Sequence, residues 1–138
     1  METSNVITSS SSRPVLSFGA AYSAMAEQVD LLGMLAVETS LTRCGQMREL
    51  VRIAADVYTR RYESQVVVDG DVVTYGYLQE IFKNLTYEHI LYVLDRLDHY
   101  SQEIRFKKAF IRTTLYNSVF ELFNGVNNEV VVDMGAVL

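Results

Sequence analysis

Apolar side chains recur at intervals of three and four through the middle of the chain, which is the spacing of a buried helical face. The clearest stretch runs from residue 47 to residue 62, where charged side chains fill most of the intervening positions. Its apolar positions are Met47, Leu50, Val51, Ala54, Val57, Tyr58 and Tyr62. This pattern predicts an amphipathic helix whose apolar stripe faces the core.

The period changes in the segment QVVVDGDVV, which spans residues 65–73. Two runs of β-branched residues flank the pair Asp69-Gly70, and this pair tolerates the positive φ angles of a tight turn. The segment therefore predicts a short β-hairpin, which would be only marginally stable without support from the helices.

Three further helices are predicted after the hairpin, each beginning at a hydroxyl-bearing residue that can cap it. They run from Thr74 to about Lys83, from Thr86 to Asp98, and onward from Ser101. Residues 84–85 break the first from the second. The apolar positions of the second are Ile90, Val93, Leu94 and Leu97, and those of the third are Ile104, Ile111, Leu115 and Leu122, with Phe110 and Phe120 beside them.

The two ends of the chain differ from this middle. Residues 1–17 hold a run of four serines and the only proline, which predicts a flexible arm. Residues 20–38 are rich in alanine, leucine and methionine, and predict one helix or two short ones with Gly33 as the weak point. Asn124-Gly125 is a helix-stop signal, and the tail after it, without a helical period, predicts an edge strand or an extended arm.

Together these elements predict a mainly α fold, a compact helical domain with one short β-hairpin that occupies residues 18–138 after the arm. A length of 138 residues fits one domain. Cys44 is the single cysteine and the first residues lack the layout of a secretory signal, so we expect a cytoplasmic protein. Asp30, Glu38 and Arg43 interrupt the longest apolar stretch, so no membrane span is expected.

No residue pattern predicts catalysis, a metal site or a cofactor. His89 and His99 stand ten positions apart and form no zinc spacing with Cys44, so His89 is expected to cap or pack its helix and Cys44 to fill the core. Asp95 and Asp98 are better explained as part of a solvated helix face than as an acid–base pair. We therefore expect a protein that is not an enzyme and that works by binding another macromolecule.

A basic stripe is the candidate binding site. Arg105, Lys108 and Arg112 fall at i, i+3 and i+7, which puts them on one face of the last helix, where they could hold phosphates or an acidic partner. The alternative is a solvated face that pairs with the acidic helices before it. The net charge of −5 means that any nucleic-acid contact must be local. The nine tyrosines indicate either an interface or a core built without tryptophan.

Residues 47–117 also carry an ordered set of motifs. In chain order these are MRELVRIAADVY, VVVDGDVV, YLQEIFKNL, TYEHILYVLDRL and EIRFKKAFIRTTLYNS. In order and spacing they resemble the C-terminal domain of RepA-type replication initiator proteins, which plasmids and integrative elements of Gram-positive bacteria encode. There are two departures from that family: Ser118-Val119 stands where the family has a proline after its final Asn-Ala, and Phe106 stands where it has an asparagine between the arginine and the basic position.

The resemblance implies a helical domain, similar to the C-terminal domain of DnaD-like primosome proteins, that engages host replication machinery or single-stranded DNA. The 17 residues before the domain are too few for the winged-helix domain of a full initiator, so only the binding module is implied. A protein partner is expected first, a contact with single-stranded DNA and a homo-oligomer are left open, and no membrane contact is expected. The alternative is an inhibitor from a mobile element, such as an anti-CRISPR protein that blocks an effector nuclease.

Overall fold

The computed structural model describes residues 15–99 and 107–135, with side chains as far as residue 122. The elements in chain order are α1 (Phe18–Gln28), α2 (Leu31–Val37), α3 (Leu41–Asp56), a 3-10 turn (Val57–Thr59), β1 (Gln65–Val68), β2 (Asp71–Thr74), α4 (Tyr75–Phe82), α5 (Tyr87–Asp98) and α6 (Lys107–Gly135). The predicted fold class, mainly helical with one short hairpin, is confirmed. Residues 1–14, Ser101, Ile104 and Arg105 lie outside the described residues.

The first helical segment divides into two helices three residues before Gly33. Asp30 adopts a left-handed conformation with φ of 56°, and its carboxylate accepts the backbone N–H of Gly33 at 3.2 Å, which caps α2. A Cβ on Gly33 would lie 2.3 Å from that carboxylate. Gly33 therefore makes room for the cap instead of breaking the helix.

The predicted central helix is α3, and it starts earlier than its apolar stripe. Ser40 caps it by accepting the backbone N–H of Arg43 at 3.2 Å. The stripe is buried as predicted at Met47, Leu50, Val51, Ala54 and Val57, while Tyr58 and Tyr62 are half-buried. Helix α3 contacts α1, α2, α5 and α6, so it forms the centre of the core.

The hairpin and the caps after it form as predicted. β1 and β2 pair antiparallel in a register that sets Val68 opposite Asp71. Asp69 and Gly70 both have positive φ, 55° and 85°, as a tight hairpin turn requires. The hydroxyl of Thr74 accepts the backbone N–H of Tyr77 at 3.1 Å, and the hydroxyl of Thr86 accepts that of Glu88 at 3.2 Å.

Helix α6 is longer than predicted. Ile111 and Leu115 are fully buried against the domain, but the helix runs through Asn124-Gly125 and ends at Gly135. The predicted helix stop is therefore wrong, as is the edge strand or extended arm after it. One glycine costs a helix only about 1 kcal/mol, and propagating a formed helix is easier than starting a new element.

Side-chain hydrogen bonds join α4 and the link that follows it to the elements around them. The side-chain amide of Gln79 donates to the carbonyls of Val57 and Arg60 at 3.1 and 3.3 Å, and the hydroxyl of Tyr58 donates to the carbonyl of Gln79 at 2.7 Å. The side chain of Gln28 donates to the carbonyl of Leu85 at 2.9 Å, in the link between α4 and α5. These bonds fix the position of α4 and of the link that follows it.

Candidate functional site

Of the two described members of the basic stripe, Lys108 is paired within the protein and Arg112 is half-buried. The ammonium group of Lys108 lies 3.2 Å from a carboxylate oxygen of Asp56, which the guanidinium of Arg60 also contacts at 3.0 Å. Arg112 is half-buried, and its Nε is enclosed without a hydrogen-bond partner. Arg105 lies outside the described residues. The positive charge of Lys108 is therefore offset by a carboxylate that comes from α3.

Lys108 also borders a small polar groove of about 310 Å³ between α1, α3 and α6. Its lining residues are Phe18, Glu49, Arg52, Ile53, Asp56 and Lys108. Arg52 pairs with Glu49 at 2.9 Å, so both cations in this groove face carboxylates. The groove therefore offers little excess charge of either sign.

An exposed aromatic cluster joins α4 to α6. The hydroxyls of Tyr77 and Tyr116 lie 3.1 Å apart, and the rings of Tyr116 and Phe120 meet edge to face with centroids 5.1 Å apart. Burial, together with the hydrogen bond to Tyr77, raises the pKa of Tyr116 to about 12, so its hydroxyl stays protonated at neutral pH. Tyr77 remains 41% exposed and Phe120 38% exposed, so the cluster is open to a partner.

Next to this cluster lies an open groove of about 490 Å³, which we name the aromatic groove. Its lining residues are Ile81 and Asn84 from α4 and its link, Glu88 and His89 from α5, and Val119, Phe120 and Leu122 from α6. The apolar members form a surface that a protein side chain could cover, and the polar members could fix its orientation. Phe120 belongs both to the groove and to the aromatic cluster.

His89 has a structural role at the edge of this groove. Its Nδ1 accepts the backbone N–H of Thr86 at 3.0 Å, which completes a capping box at the start of α5. Burial lowers the pKa of His89, and the nearby carboxylate of Glu88 opposes that shift. The cap requires a neutral imidazole, because its Nδ1 must accept a hydrogen bond. The hydrogen bond from Thr86 confirms the prediction that His89 caps its helix.

A hydrogen bond from a second exposed-side tyrosine, Tyr92, joins α5 to α6. The hydroxyl of Tyr92 donates to the carboxylate of Glu121, which raises the pKa of Tyr92. The guanidinium of Arg96 lies over the ring of Tyr92, 5.7 Å from its centroid. Because Glu121 stands between Phe120 and Leu122 in the sequence, this contact sets the position of α6 where the aromatic groove forms.

The remaining residues considered as chemical candidates, Cys44, Asp95 and Asp98, also form local contacts. Cys44 is buried, with its thiol 3.9 Å from the carbonyl of Glu38, and Asp98 forms an ion pair with Arg43. Asp95 lies 3.8 Å from the imidazole of His99. Among the side chains of residues 15–99 and 107–122, no group of three or more His, Cys, Asp or Glu residues could hold a metal ion. No helix in the described part of the chain is long and apolar enough to cross a membrane.

The pattern of apolar and polar residues in the sequence predicted neither the aromatic groove nor its lining. Ile81 is an apolar residue of the predicted helix that begins at Thr74, and the structure leaves its side chain half-buried at the groove. Phe120 gave the one usable signal, because it stands beside the line from Ile111 to Leu122 and not on it. A large aromatic residue at the edge of an apolar stripe is a candidate for partial exposure.

No protein-family model, curated protein or solved structure matches this chain. The fold and the aromatic groove alone define the class of protein, which is a small helical domain with an exposed aromatic surface.

Proposed function

We propose that this protein is a non-enzymatic binding module that engages a protein of the host replication machinery through the aromatic groove. The exposed ring of Phe120 is the observation that carries this proposal, because it lines an open apolar groove next to a second exposed ring, that of Tyr77. Partly exposed aromatic residues in such grooves are the usual anchors of protein interfaces. The motifs of residues 47–117 supply the class of partner, through their resemblance to the initiator C-terminal domain.

The charges around the groove favour a protein over single-stranded DNA. Glu88 is the charged residue among those that line it, and Glu121 neighbours Phe120 on α6. Sites for single-stranded DNA combine stacking aromatics with a positive groove that follows the phosphates. Here the aromatics stand beside carboxylates, and the cation of Lys108 is paired with Asp56 elsewhere on the domain.

The test is a binding measurement with purified primosome proteins of a Gram-positive host, on wild type and two matched variants. Phe120→Ala removes the ring from the groove. Phe18→Ala is the control, because Phe18 is 42% exposed, its ring contacts that of Tyr22, and it is not among the residues that line the groove. Phe120→Ala should weaken binding at least about tenfold, the loss expected for an aromatic anchor, while Phe18→Ala should leave it unchanged.

A labelled single-stranded oligonucleotide is the second ligand in the same experiment. If the module binds a protein through apolar contacts, the oligonucleotide should bind far more weakly than the primosome protein at physiological salt. Tight, steeply salt-dependent oligonucleotide binding would contradict the choice of a protein partner. Failure of every primosome protein to bind, or equal losses in the two variants, would contradict the proposed function.

A further inference from the structure

A second apolar groove, of about 400 Å³, lies between α2, α3 and α5, and we name it the methionine groove. Its lining residues are Asp30, Gly33, Met34, Val37, Glu38, Met47, Tyr87 and Leu91. On α5, Tyr87 and Leu91 stand on one side of the buried stripe, while His89 of the aromatic groove stands on the other. The two grooves are therefore separate surfaces that share one helix.

The methionine groove adjoins an apolar surface that is unusual for a water-exposed helix. Helix α2 has the sequence LLGMLAV, with no polar side chain on any face. Leu31 and Met34 point into the core, but Val37 is 80% exposed, and Leu41 at the start of α3 is 87% exposed. A helix that is apolar on every face is normally buried, so this surface has the character of one that a partner covers.

The charged side chains that line the methionine groove are negative. Asp30 and Glu38 are the charged residues among those that line it, and both are acidic. Asp95 and Asp98 follow Leu91 at i+4 and i+7, which puts them on the same side of α5. Arg43 lies nearby, but its guanidinium is bound by the carboxylates of both Glu38 and Asp98. An occupant therefore meets an apolar floor with a negative border.

We propose that the methionine groove binds an amphipathic helix of a partner protein, with an apolar stripe that enters the groove and lysine or arginine side chains on its flanks. Met34 and Met47 are buried in the core beneath the groove and form part of its floor, so the stripe would pack against thioether side chains, as it does in other grooves that receive helices. Basic flanks complement Asp30, Glu38, Asp95 and Asp98 and select this occupant over an acidic one. This site is additional to the aromatic groove of the proposed function.

The test uses a labelled peptide of about 15 residues with leucines at i, i+3, i+4 and i+7 and lysines at the flanking positions. Binding is measured by fluorescence anisotropy on the full chain. The double variant Val37→Ser, Leu91→Ser should weaken binding at least about tenfold, because both side chains line the groove. Leu32→Ser is the matched control, since Leu32 is 81% exposed on the same helix but does not line the groove, and it should bind like wild type.

A conservative variant tests the charge argument without disturbing the fold. Asp30→Asn keeps the cap of α2, because asparagine tolerates the left-handed conformation and can accept the N–H of Gly33. It should weaken binding about two- to fourfold and reduce the dependence on salt, as expected for the loss of one exposed charge. The same peptide with glutamate in place of each lysine should bind much more weakly to wild type.

Three results would overturn this inference. One is equal binding by wild type and the double variant when both show the same melting temperature. Another is a loss of peptide binding in Phe120→Ala, which would place the peptide in the aromatic groove. We expect Phe120→Ala to bind the peptide like wild type. The peptide therefore tests the methionine groove independently of the proposed function of the aromatic groove. The third is a concentration-dependent dimer that the double variant abolishes, because the occupant would then be a second copy of the chain.

Discussion

The packing of Gly76 against Tyr62 leads to a sharp prediction about stability. Gly76 is buried in the first turn of α4, and its backbone N–H donates to the carbonyl of Tyr62 at 2.8 Å. A Cβ added there would lie 2.4 Å from two ring atoms of Tyr62, Cε1 and Cζ. Gly76→Ala therefore cannot be accommodated unless the ring or the start of α4 moves.

The magnitude follows from that distance. Non-bonded carbon atoms pack best at about 3.5–4.0 Å, so the ring must shift by roughly 1 Å. Overpacking of this kind costs about 1–3 kcal/mol, and alanine returns up to about 1 kcal/mol through its better helix propensity. We expect Gly76→Ala to lower the free energy of unfolding by about 1–2 kcal/mol.

Urea unfolding measures this change, and Gly45→Ala is the matched control. Gly45 is exposed within α3, and a Cβ there would meet nothing within 4 Å. The same substitution at Gly45 should therefore raise the free energy of unfolding by about 0.5–1 kcal/mol, through helix propensity alone. The two variants should differ in sign.

A double-mutant cycle with Tyr62→Ala identifies the cause. When the ring is absent, Gly76→Ala should cost nothing or should stabilise the protein, which corresponds to a coupling of about 1–3 kcal/mol. If Gly76→Ala is as destabilising in the Tyr62→Ala background as in wild type, the clash with the ring is not the cause and the reasoning is refuted.

Two further predictions concern α5. Leu94→Ala should lower the free energy of unfolding by about 2–5 kcal/mol, because Leu94 lies on the core side of α5 and is fully buried. A decrease in the free energy of unfolding below about 0.5 kcal/mol, measured with urea, would contradict this prediction. Burial lowers the pKa of His89 in the folded protein. The cap therefore contributes its full stability above the ordinary pKa of histidine, about 6.5, and this stability is lost as the pH falls through the lower pKa of the folded state. His89→Gln keeps an uncharged acceptor, so its melting temperature should fall less than that of wild type between pH 7.5 and pH 5. Contacts with Asp95 raise the pKa of His99, so His99 changes the stability in the opposite direction as the pH falls. It does so equally in wild type and in His89→Gln, so its effect cancels when the two proteins are compared. Equal falls in the two melting temperatures would show that His89 does not carry the effect.

Features set by neighbours in the sequence were predictable. The caps at Thr74 and Thr86 depend on a hydroxyl within three residues of the N–H that it accepts, and the hairpin turn depends on two adjacent residues with positive φ. The buried stripe of α3 follows from a period of 3.6 residues. Each of these signals is complete within a few residues, so no knowledge of the tertiary structure is needed to read it.

Features that depend on distant residues were not predictable in this way. The partner of Lys108 is Asp56, which lies on another helix and has no special position relative to Lys108 in the sequence. The exposure of Val37 and Phe120 depends on which helices pack beside them, and an apolar period cannot distinguish a core face from the wall of a groove. Helix α6 continued past Asn124-Gly125 for a different reason, because one glycine disfavours a helix only weakly once that helix has formed.

The arrangement of α5 explains how so small a domain can present two separate surfaces. Its buried positions, Ile90, Val93 and Leu94, form one stripe that packs on the core. His89 borders that stripe on the side of the aromatic groove, and Leu91 borders it on the side of the methionine groove. Because the stripe anchors the helix, a partner can fill one groove without displacing the side chains that form the other. Two partners could then occupy the domain together, and binding in one groove should leave the affinity of the other unchanged unless α5 itself moves.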